Sequence, residues 1–509
     1  MKTMRYYLAI VLVVGFITPI PCLSADNKNL KEKIVILIEP FKDWQMYLES
    51  AKPSPDSNHI TAVARKGGKF AVVYDGKMLK FYDSISNKTP IFSPDSQHFA
   101  YNVKKGLRWM VIYDSKEGKP YDNVSVPVFS PDSKRMAYIA EKNSMYVVVL
   151  DGKESREYPA ISPKTNLIFS PDSKRFAFAA NNKEKKMVVV VDGKESKAYD
   201  RISEPVFSLD SKHIVFPAIT VTKKKEAGFM VFDGNEGKHY DKTGAFAFSP
   251  DSSRFAYTVK QNEKAILVSD DKESPTYTDL ALPLFSPDSK NLAIFAVEGK
   301  KTCMVVNGKK GNLYDEIREL AFNPLDPSLY MLTAREGKTW YVLFEDGKKS
   351  PAYDETLFVG YSKDAKNTFY VAGKASKYCV VHNGKEGPKF DIILQPLFST
   401  DMKHLFYMAL NDKKWKVVVD NKESASYDGV ALPTFTQDSK HVLFIAQNKN
   451  LWFVVVDGVE GKERFMGFIK GSEFMFENNN KSAYILALNL PPGPSLGPNM
   501  VKLKFDIPD

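Results

Sequence analysis

One short motif returns along this chain at nearly constant spacing. That recurrence limits the fold more than any other feature, because a repeated unit has to bury its apolar face against copies of itself. Phe-Ser-Pro-Asp-Ser begins at Phe92, Phe129, Phe169, Phe248 and Phe285, and a near copy with Leu209 in place of proline begins at Phe207. Worn copies begin at Phe398 and Phe435, and weaker ones at Pro53, Phe322 and Tyr361. The motif aspartates run from Asp56 through Asp95, Asp132, Asp172, Asp210, Asp251, Asp288, Asp326, Asp364 and Asp401 to Asp438, each 37 to 41 residues from the last. A twelfth, decayed copy begins at Phe476 and keeps the apolar run Ala483-Tyr484-Ile485.

Each unit reads as four short strands, as residues 167–203 illustrate. Pro171 supplies the fixed φ of a type I turn in the motif itself. Arg175–Ala180 reads as a second strand, and Met187–Val191 is a continuous apolar run of the kind that is buried on both faces. Asp192-Gly193 is a hairpin signal, and Lys197–Asp200 is the outer strand. Four strands in about 40 residues, repeated radially, make a propeller blade. The fold class expected is all-β: tandem β-propellers of about twelve four-stranded blades, each about 38 residues long.

This unit resembles the TolB-type, WD-like propeller repeat, whose mark is an aromatic-Ser-Pro-Asp turn followed by a basic residue and an apolar strand. The resemblance spans residues 34–509, with Phe for the family's usual Trp and Ser for its usual Gly after the Asp. It implies a fold and not an activity, since one fold hosts many activities. Twelve blades exceed the usual four to eight in a ring, so two rings of six are expected, over residues 26–281 and 282–509, with seven plus five as the alternative. Ile34–Ile38 and Met46–Glu49 read as outer strands without inner partners, while Phe474–Phe476 and Tyr484–Leu488 read as inner strands, with Val501–Phe505 added. Sharing a blade between the two ends would seal an exposed edge.

Residues 1–25 read as an export signal: Lys2 and Arg5 form the charged start, Leu8–Ile17 the apolar stretch and Leu23-Ser24-Ala25 the cleavage site. Pro21 stands where lipid attachment to Cys22 wants a small residue, so anchoring as a lipoprotein is not expected. No later segment has the ~20 apolar residues of a membrane span. The expected location is periplasmic or secreted, in a bacterial envelope. Removing the signal leaves 69 basic and 61 acidic residues, an excess that permits an anionic partner. Most of these lysines, however, stand beside a glutamate in Gly-Lys-Glu loops. No nucleic-acid partner is expected.

The residues that could carry chemistry mostly follow the repeat. His59, His98, His213, His404 and His441 each lie three residues after a motif aspartate, where other blades place Arg135, Arg175 or Arg254, and no Cys/His spacing suits zinc. Cys303 and Cys379 occupy one strand position in blades two apart, too far for a disulfide. Trp109, Trp340, Trp415 and Trp452 stand at the start of the third strand, a core position. Gly493-Pro494-Ser495-Leu496-Gly497 lacks the strand, helix and downstream histidine of a hydrolase elbow. Gly337-Lys338-Thr339 has Leu332 where a phosphate loop needs its first glycine. No metal, cofactor or catalytic residue is expected.

In a blade, the Ser-Pro-Asp and Asp-Gly turns share one face and are nearly uniform here. The second-to-third and fourth-to-first loops share the other face, and they vary. The longest excursion, Thr220–Gly228, carries Lys223, Lys224 and Lys225, the candidate binding residues. The expected function is an exported scaffold that binds a protein or anionic cell-envelope polymer through this variable face. The alternative is a propeller enzyme, a lyase or hydrolase, with acidic residues at the central channel; the aspartates of the Tyr-Asp pairs would supply them.

Overall fold

The computed structural model describes residues 30–161, 167–222, 225–394, 396–489 and 497–508. The export segment with Cys22, the run 490–496, Lys223 and Lys224 lie outside them. Among the described residues every regular element is a strand, and the strands form twelve antiparallel sheets arranged as a β-propeller. In chain order blades 1 to 11 span 45–82, 84–117, 123–154, 168–195, 201–236, 242–273, 279–310, 316–344, 355–390, 392–423 and 429–460. Blade 12 spans 467–506 and takes Glu32–Ile38 as its outermost strand. Blade 8 has three full strands, its fourth reduced to a bridge between Leu343 and Lys349.

The strand order follows from the residue pattern. The third strands are valine-rich and buried on both faces, and they pair with second strands that supply alanines: Ala179 faces Val189 and Ala140 faces Val147. Ala62, Ala64, Ala100, Ala137 and Ala177 are wholly buried, and their small side chains let consecutive sheets approach closely. Outer strands are mostly two residues long, as at Lys153–Glu154 and Lys194–Glu195, which blunts them as edges.

Inner strands break partway along their length. In blades 2, 3, 5, 7 and 10 the inner strand is split, and the second piece follows Pro90, Pro127, Pro205, Pro283 and Pro396, which cannot donate to the ladder. In blades 1, 6, 8, 9 and 11 the same place is a bulge, between Thr243 and Phe246 for instance. The interruption frees an amide on the second strand, and a hydroxyl takes it up. Val63 donates to Ser50 Oγ, Asn102 to Thr89 Oγ1, Ile139 to Ser125 Oγ and Leu486 to Ser472 Oγ, at 2.8–3.1 Å.

Each hydrophobic cluster joins one blade to the next. Tyr277 at the end of blade 6 packs with Ile294 and Ala296 of blade 7, so the stack continues unbroken past residue 281. Leu486 and Met500 of blade 12 pack with Ile60 and Ala62 of blade 1. The described clusters therefore trace one cycle of twelve blades, and the expected division at residue 281 corresponds to no break in packing. The reason is local: the contacts that fasten every other pair also act here, with Asp251 N–H donating to Ser289 Oγ at 3.0 Å and the Arg254 guanidinium 5.2 Å above the Phe285 ring.

The cycle closes where the chain ends meet. Glu32–Ile38 pairs with Asn499–Asp506, which pairs with Ser482–Asn489. Gln45–Pro53 is the inner strand of blade 1, not an outer strand as the sequence suggested for Met46–Glu49. Tyr484 donates to Asp56 O at 2.8 Å, and the buried Lys502 donates to Asn58 Oδ1 at 2.9 Å. A buried apolar side chain stabilises by about 1.5–3 kcal/mol, and an exposed ion pair by at most about 1 kcal/mol. The clusters between blades therefore hold the ring, and the many surface ion pairs contribute little.

Candidate functional site

The uniform face is occupied with its own construction. In each well-preserved motif the first serine donates to the aspartate at 2.5–2.7 Å, as Ser93 does to Asp95 and Ser170 to Asp172. These bonds hold the Asp95, Asp132 and Asp172 carboxyls below their ordinary range and bring Asp210 down to about 2. The aspartate's amide donates to the second serine of the following blade: Asp95 to Ser133, Asp132 to Ser173 and Asp172 to Ser211, each at 2.9 Å. The residue three places after the aspartate closes the turn. His59, His98, His213, His404 and His441 set Nδ1 2.6 Å from the hairpin aspartates Asp75, Asp114, Asp233, Asp420 and Asp457. Arg135, Arg175 and Arg254 reach Asp151, Asp192 and Asp270 and extend over Phe169, Phe207 and Phe285 of the next blade. Repeat position accounts for these histidines, and no group of three or more His, Cys, Asp or Glu suited to a metal occurs among the described residues.

The Tyr-Asp pairs are latches as well. Tyr121 donates to Glu154, Tyr199 to Glu236 and Tyr240 to Glu273, each glutamate lying on the outer strand of the following blade. Burial, reinforced by that glutamate, pushes the Tyr199 hydroxyl up to about 12. The paired aspartate accepts the amide of the next blade's second-to-third turn: Asp83 from Gly106, Asp122 from Asn143, Asp315 from Gly337, Asp428 from Lys449. The acids named for the enzymatic alternative are thus bound to neighbouring turns. At the closing junction Phe465 replaces the tyrosine, and Glu32 instead accepts the amides of Lys462 and Glu463.

Cys303 and Cys379 are free and buried, opposite Ala296 and Ala372 in matching registers. The tryptophans sit at bridges to the Tyr or Phe that ends their own blade: Trp109 to Tyr121, Trp340 to Tyr353, Trp415 to Tyr427 and Trp452 to Phe465. The lysine excursion differs from the loop expected. It is a continuation of the blade 5 hairpin, in which Thr220 faces Ala227, Val221 faces Glu226 and Thr222 faces Lys225. Lys225 is exposed, and the adjacent Glu226 pairs with Arg201.

The variable face also bears a cavity of about 600 Å³ among the inner strands of blades 2, 3 and 4, a volume in the ~300–1,000 Å³ range of ligand pockets. On the inner edge of blade 4 the described residues pair at the Ala160–Asn181 bridge and at Ile168–Phe169. Ile139, Val126, Val128, Ile161 and Leu167 make it largely apolar. Asn102, on the second strand of blade 2, lies at its wall and is 2% exposed. Its Nδ2 donates to Ser125 O at 2.9 Å, and its Oδ1 is buried without a partner among the described residues, an arrangement that costs about 1–3 kcal/mol when nothing fills it. Glu141 and Tyr146 of blade 3 complete that side, and Lys88 stands exposed at the mouth. Sequence reasoning missed this site. Its one signal was Asn102, a polar residue inside the run Phe99–Val103, at a register where most other blades carry apolar residues.

A second departure from the repeat lies between blades 8 and 9. Arg318 donates to Glu316 at 2.8 Å and to Glu355 at 3.3 Å, Arg335 pairs with Glu316 at 3.2 Å, and Tyr378 donates to Glu355 at 2.9 Å. The Arg318 guanidinium lies 4.1 Å from the centre of the Trp340 ring. The charges here are mutually satisfied, which suits a junction better than a site. Next to Arg318 in sequence, Glu319 is half-buried, and desolvation raises its carboxyl above the ordinary range although Val359 donates to it at 3.1 Å.

No protein-family model matches the chain, and no curated protein matches it in sequence. Among solved structures it is similar to a eukaryotic initiation factor, at 12% identity and a TM-score of 0.32 over 70% of this chain and 93% of the other. It is also similar to TolB from Acinetobacter baumannii, at 13% identity and a TM-score of 0.24 over 50% of this chain and 80% of the other. The β-propeller domain of the Trilobed protease from Pyrococcus furiosus matches at 12% identity and a TM-score of 0.26, over 52% of this chain and 96% of that domain. Likenesses at this level concern the fold alone.

Proposed function

We propose that this chain is an exported, non-catalytic recognition scaffold that binds a protein or an anionic cell-envelope polymer across the face of its second-to-third and fourth-to-first loops. One observation carries the reading. The repeated polar residues of the opposite face are engaged in turns and blade-to-blade bonds, from Ser93 and Asp95 to Arg254 and Asp270. The loop face instead carries side chains that differ from blade to blade and a cavity of about 600 Å³ lined by Val126, Ile139 and Leu167. Residues needed only for folding repeat, whereas residues that hold a partner are free to differ. The basic excess and the run Lys223, Lys224 and Lys225, of which Lys225 lies exposed on the blade 5 hairpin, favour an anionic partner, met quickly and in a salt-sensitive way.

The test is capture from a cell-envelope extract, followed by affinity measurement on the captured component. Replacing Lys223, Lys224 and Lys225 together by Glu weakens binding several-fold, while changing thermal stability by no more than about 0.5 kcal/mol per site. Lys153→Glu with Lys194→Glu, on the uniform face, leaves binding intact. Equal loss in both variants, or loss in the second alone, refutes the assignment of the face.

A further inference from the structure

We infer that the corner of the loop face formed by blades 1 and 2 docks on an anionic lipid surface, with Leu107 and Phe81 entering its interface and the surrounding cations meeting its phosphates. The inference goes beyond the scaffold reading and shares with it only the loop face as the face of contact. It starts from a residue out of place. Leu107 is 88% exposed, more than any other large apolar side chain among the described residues. It stands at the tip of the blade 2 hairpin, in Lys104-Lys105-Gly106-Leu107-Arg108, where Lys105 faces Arg108. Other blades put Gly67-Gly68, Asn143-Ser144 or Asp412-Lys413 at this place, and no other described two-residue tip carries a large apolar side chain.

A single exposed leucine is ordinary, but this one has apolar and basic company. Phe81, near the end of the blade 1 outer strand, is 52% exposed, and its ring stacks on that of Trp44 at 5.2 Å between centres. Printed side by side in space, the pieces form one corner. Lys66 of the blade 1 hairpin pairs with Asp43, the neighbour of Trp44, at 3.5 Å. Lys69 of that hairpin pairs with Asp83, two residues after Phe81. Asp83 also accepts the amide of Gly106, the neighbour of Leu107, at 2.7 Å.

The charge of this corner is predominantly positive. Residues 39–45, 65–69, 80–83 and 104–108 hold eight basic side chains and three acidic ones. Glu117 and Asp122, which pair with Lys80, Lys105 and Arg108, reduce the excess without cancelling it. Exposed ion pairs of this kind are weak in water, so the cations are available to lipid phosphates. A soluble polyanion engages the cations and leaves Leu107 and Phe81 in water. A lipid interface engages both, because its headgroups attract clustered basic residues and its acyl boundary takes short apolar side chains. Trp44 has the amphipathic ring that suits headgroup level.

The test floats the protein, as recovered after export, with vesicles of phosphatidylglycerol and phosphatidylcholine, and with vesicles of phosphatidylcholine alone. It is expected to float with the first, less so as salt rises, and not with the second. Leu107→Asn is expected to weaken flotation about fivefold, and Lys104→Ala with Lys105→Ala about tenfold, each with an unchanged thermal unfolding profile. Lys153→Glu with Lys194→Glu, on the opposite face, is expected to float as the wild type does. Absence of flotation, equal flotation with both kinds of vesicle, or equal loss from both lysine pairs overturns the proposal. Wild-type flotation of Leu107→Asn beside loss in the Lys104 and Lys105 variant assigns the corner to soluble polyanions and overturns it too. Capture of an envelope component is measured without vesicles and through Lys223, Lys224 and Lys225, so either reading can fail while the other stands.

Discussion

Left-handed backbone at the second serine of the motif marks where residue chemistry overrides conformational preference. Ser96, Ser133, Ser173 and Ser289 have φ of 64–65°, a region that favours glycine. Serine persists because its hydroxyl accepts the aspartate amide of the preceding blade, at Ser133 and Ser173 for example. Ala365 and Met402 keep the same φ without a hydroxyl, and there Asn367 crosses to the Met402 carbonyl at 3.2 Å. Glu319 shows the opposite tension, a carboxyl retained where burial disfavours its charge. Because its folded pKa lies above the ordinary value of 4.5, its protonated form favours the fold below that pH, and the advantage is lost as pH rises through the raised value. Glu319→Gln keeps an oxygen for the Val359 amide and removes the charge. Urea denaturation at pH 4 and pH 7 should show the variant gaining on the wild type as pH rises. A stability difference that does not change with pH contradicts this account.

At the scale of strands, the interrupted inner strand gives the propeller its variable surface. Proline or a bulge stops the ladder halfway, and the loop that results either closes over the second strand or, between blades 2 and 4, leaves a cavity. The third strands are buried over their central residues, and both cysteines lie on them. Burial pushes the Cys379 thiol up to about 11 and raises that of Cys303, so neither offers much thiolate at neutral pH. Alkylation mapped by mass spectrometry should find both cysteines unmodified in the native protein and both modified in denaturant without reductant. Protection that persists in denaturant would show a disulfide and contradict the strand register. At blade 5 the expected loop is a longer hairpin, because Thr220, Val221 and Thr222 are β-forming residues that extend the ladder to Lys225.

For the molecule as a whole, the consequence of a continuous cycle is cooperativity. Every blade has two apolar faces, and a cut at any junction exposes one on each side. Residues 26–281 and 282–509, produced separately, should fail to form monomeric, cooperatively unfolding domains, while the full chain unfolds as one unit. Two independently folded, soluble halves would instead support the two-ring division. The closing strand Glu32–Ile38 has the same role at the ends: Ile38 is 1% exposed, in the core shared by blades 12 and 1.

The strand content, the twelve units, the two turn types and the uniform face were legible in the chain itself, because each depends on interactions within about 40 residues. The Phe-Ser-Pro-Asp-Ser turn and the Asp-Gly hairpin specify their own backbone, and the position of His59 or Arg135 after the motif follows from pairing with the hairpin aspartate of the same blade. The cyclic order was not legible, since the contact of blade 6 with blade 7 looks in sequence like any other and the contact of blade 12 with blade 1 joins residues more than 400 apart. The cavity was equally hidden: Asn102, Glu141 and Leu167 belong to three blades, and only the stacking of those blades brings them around one space.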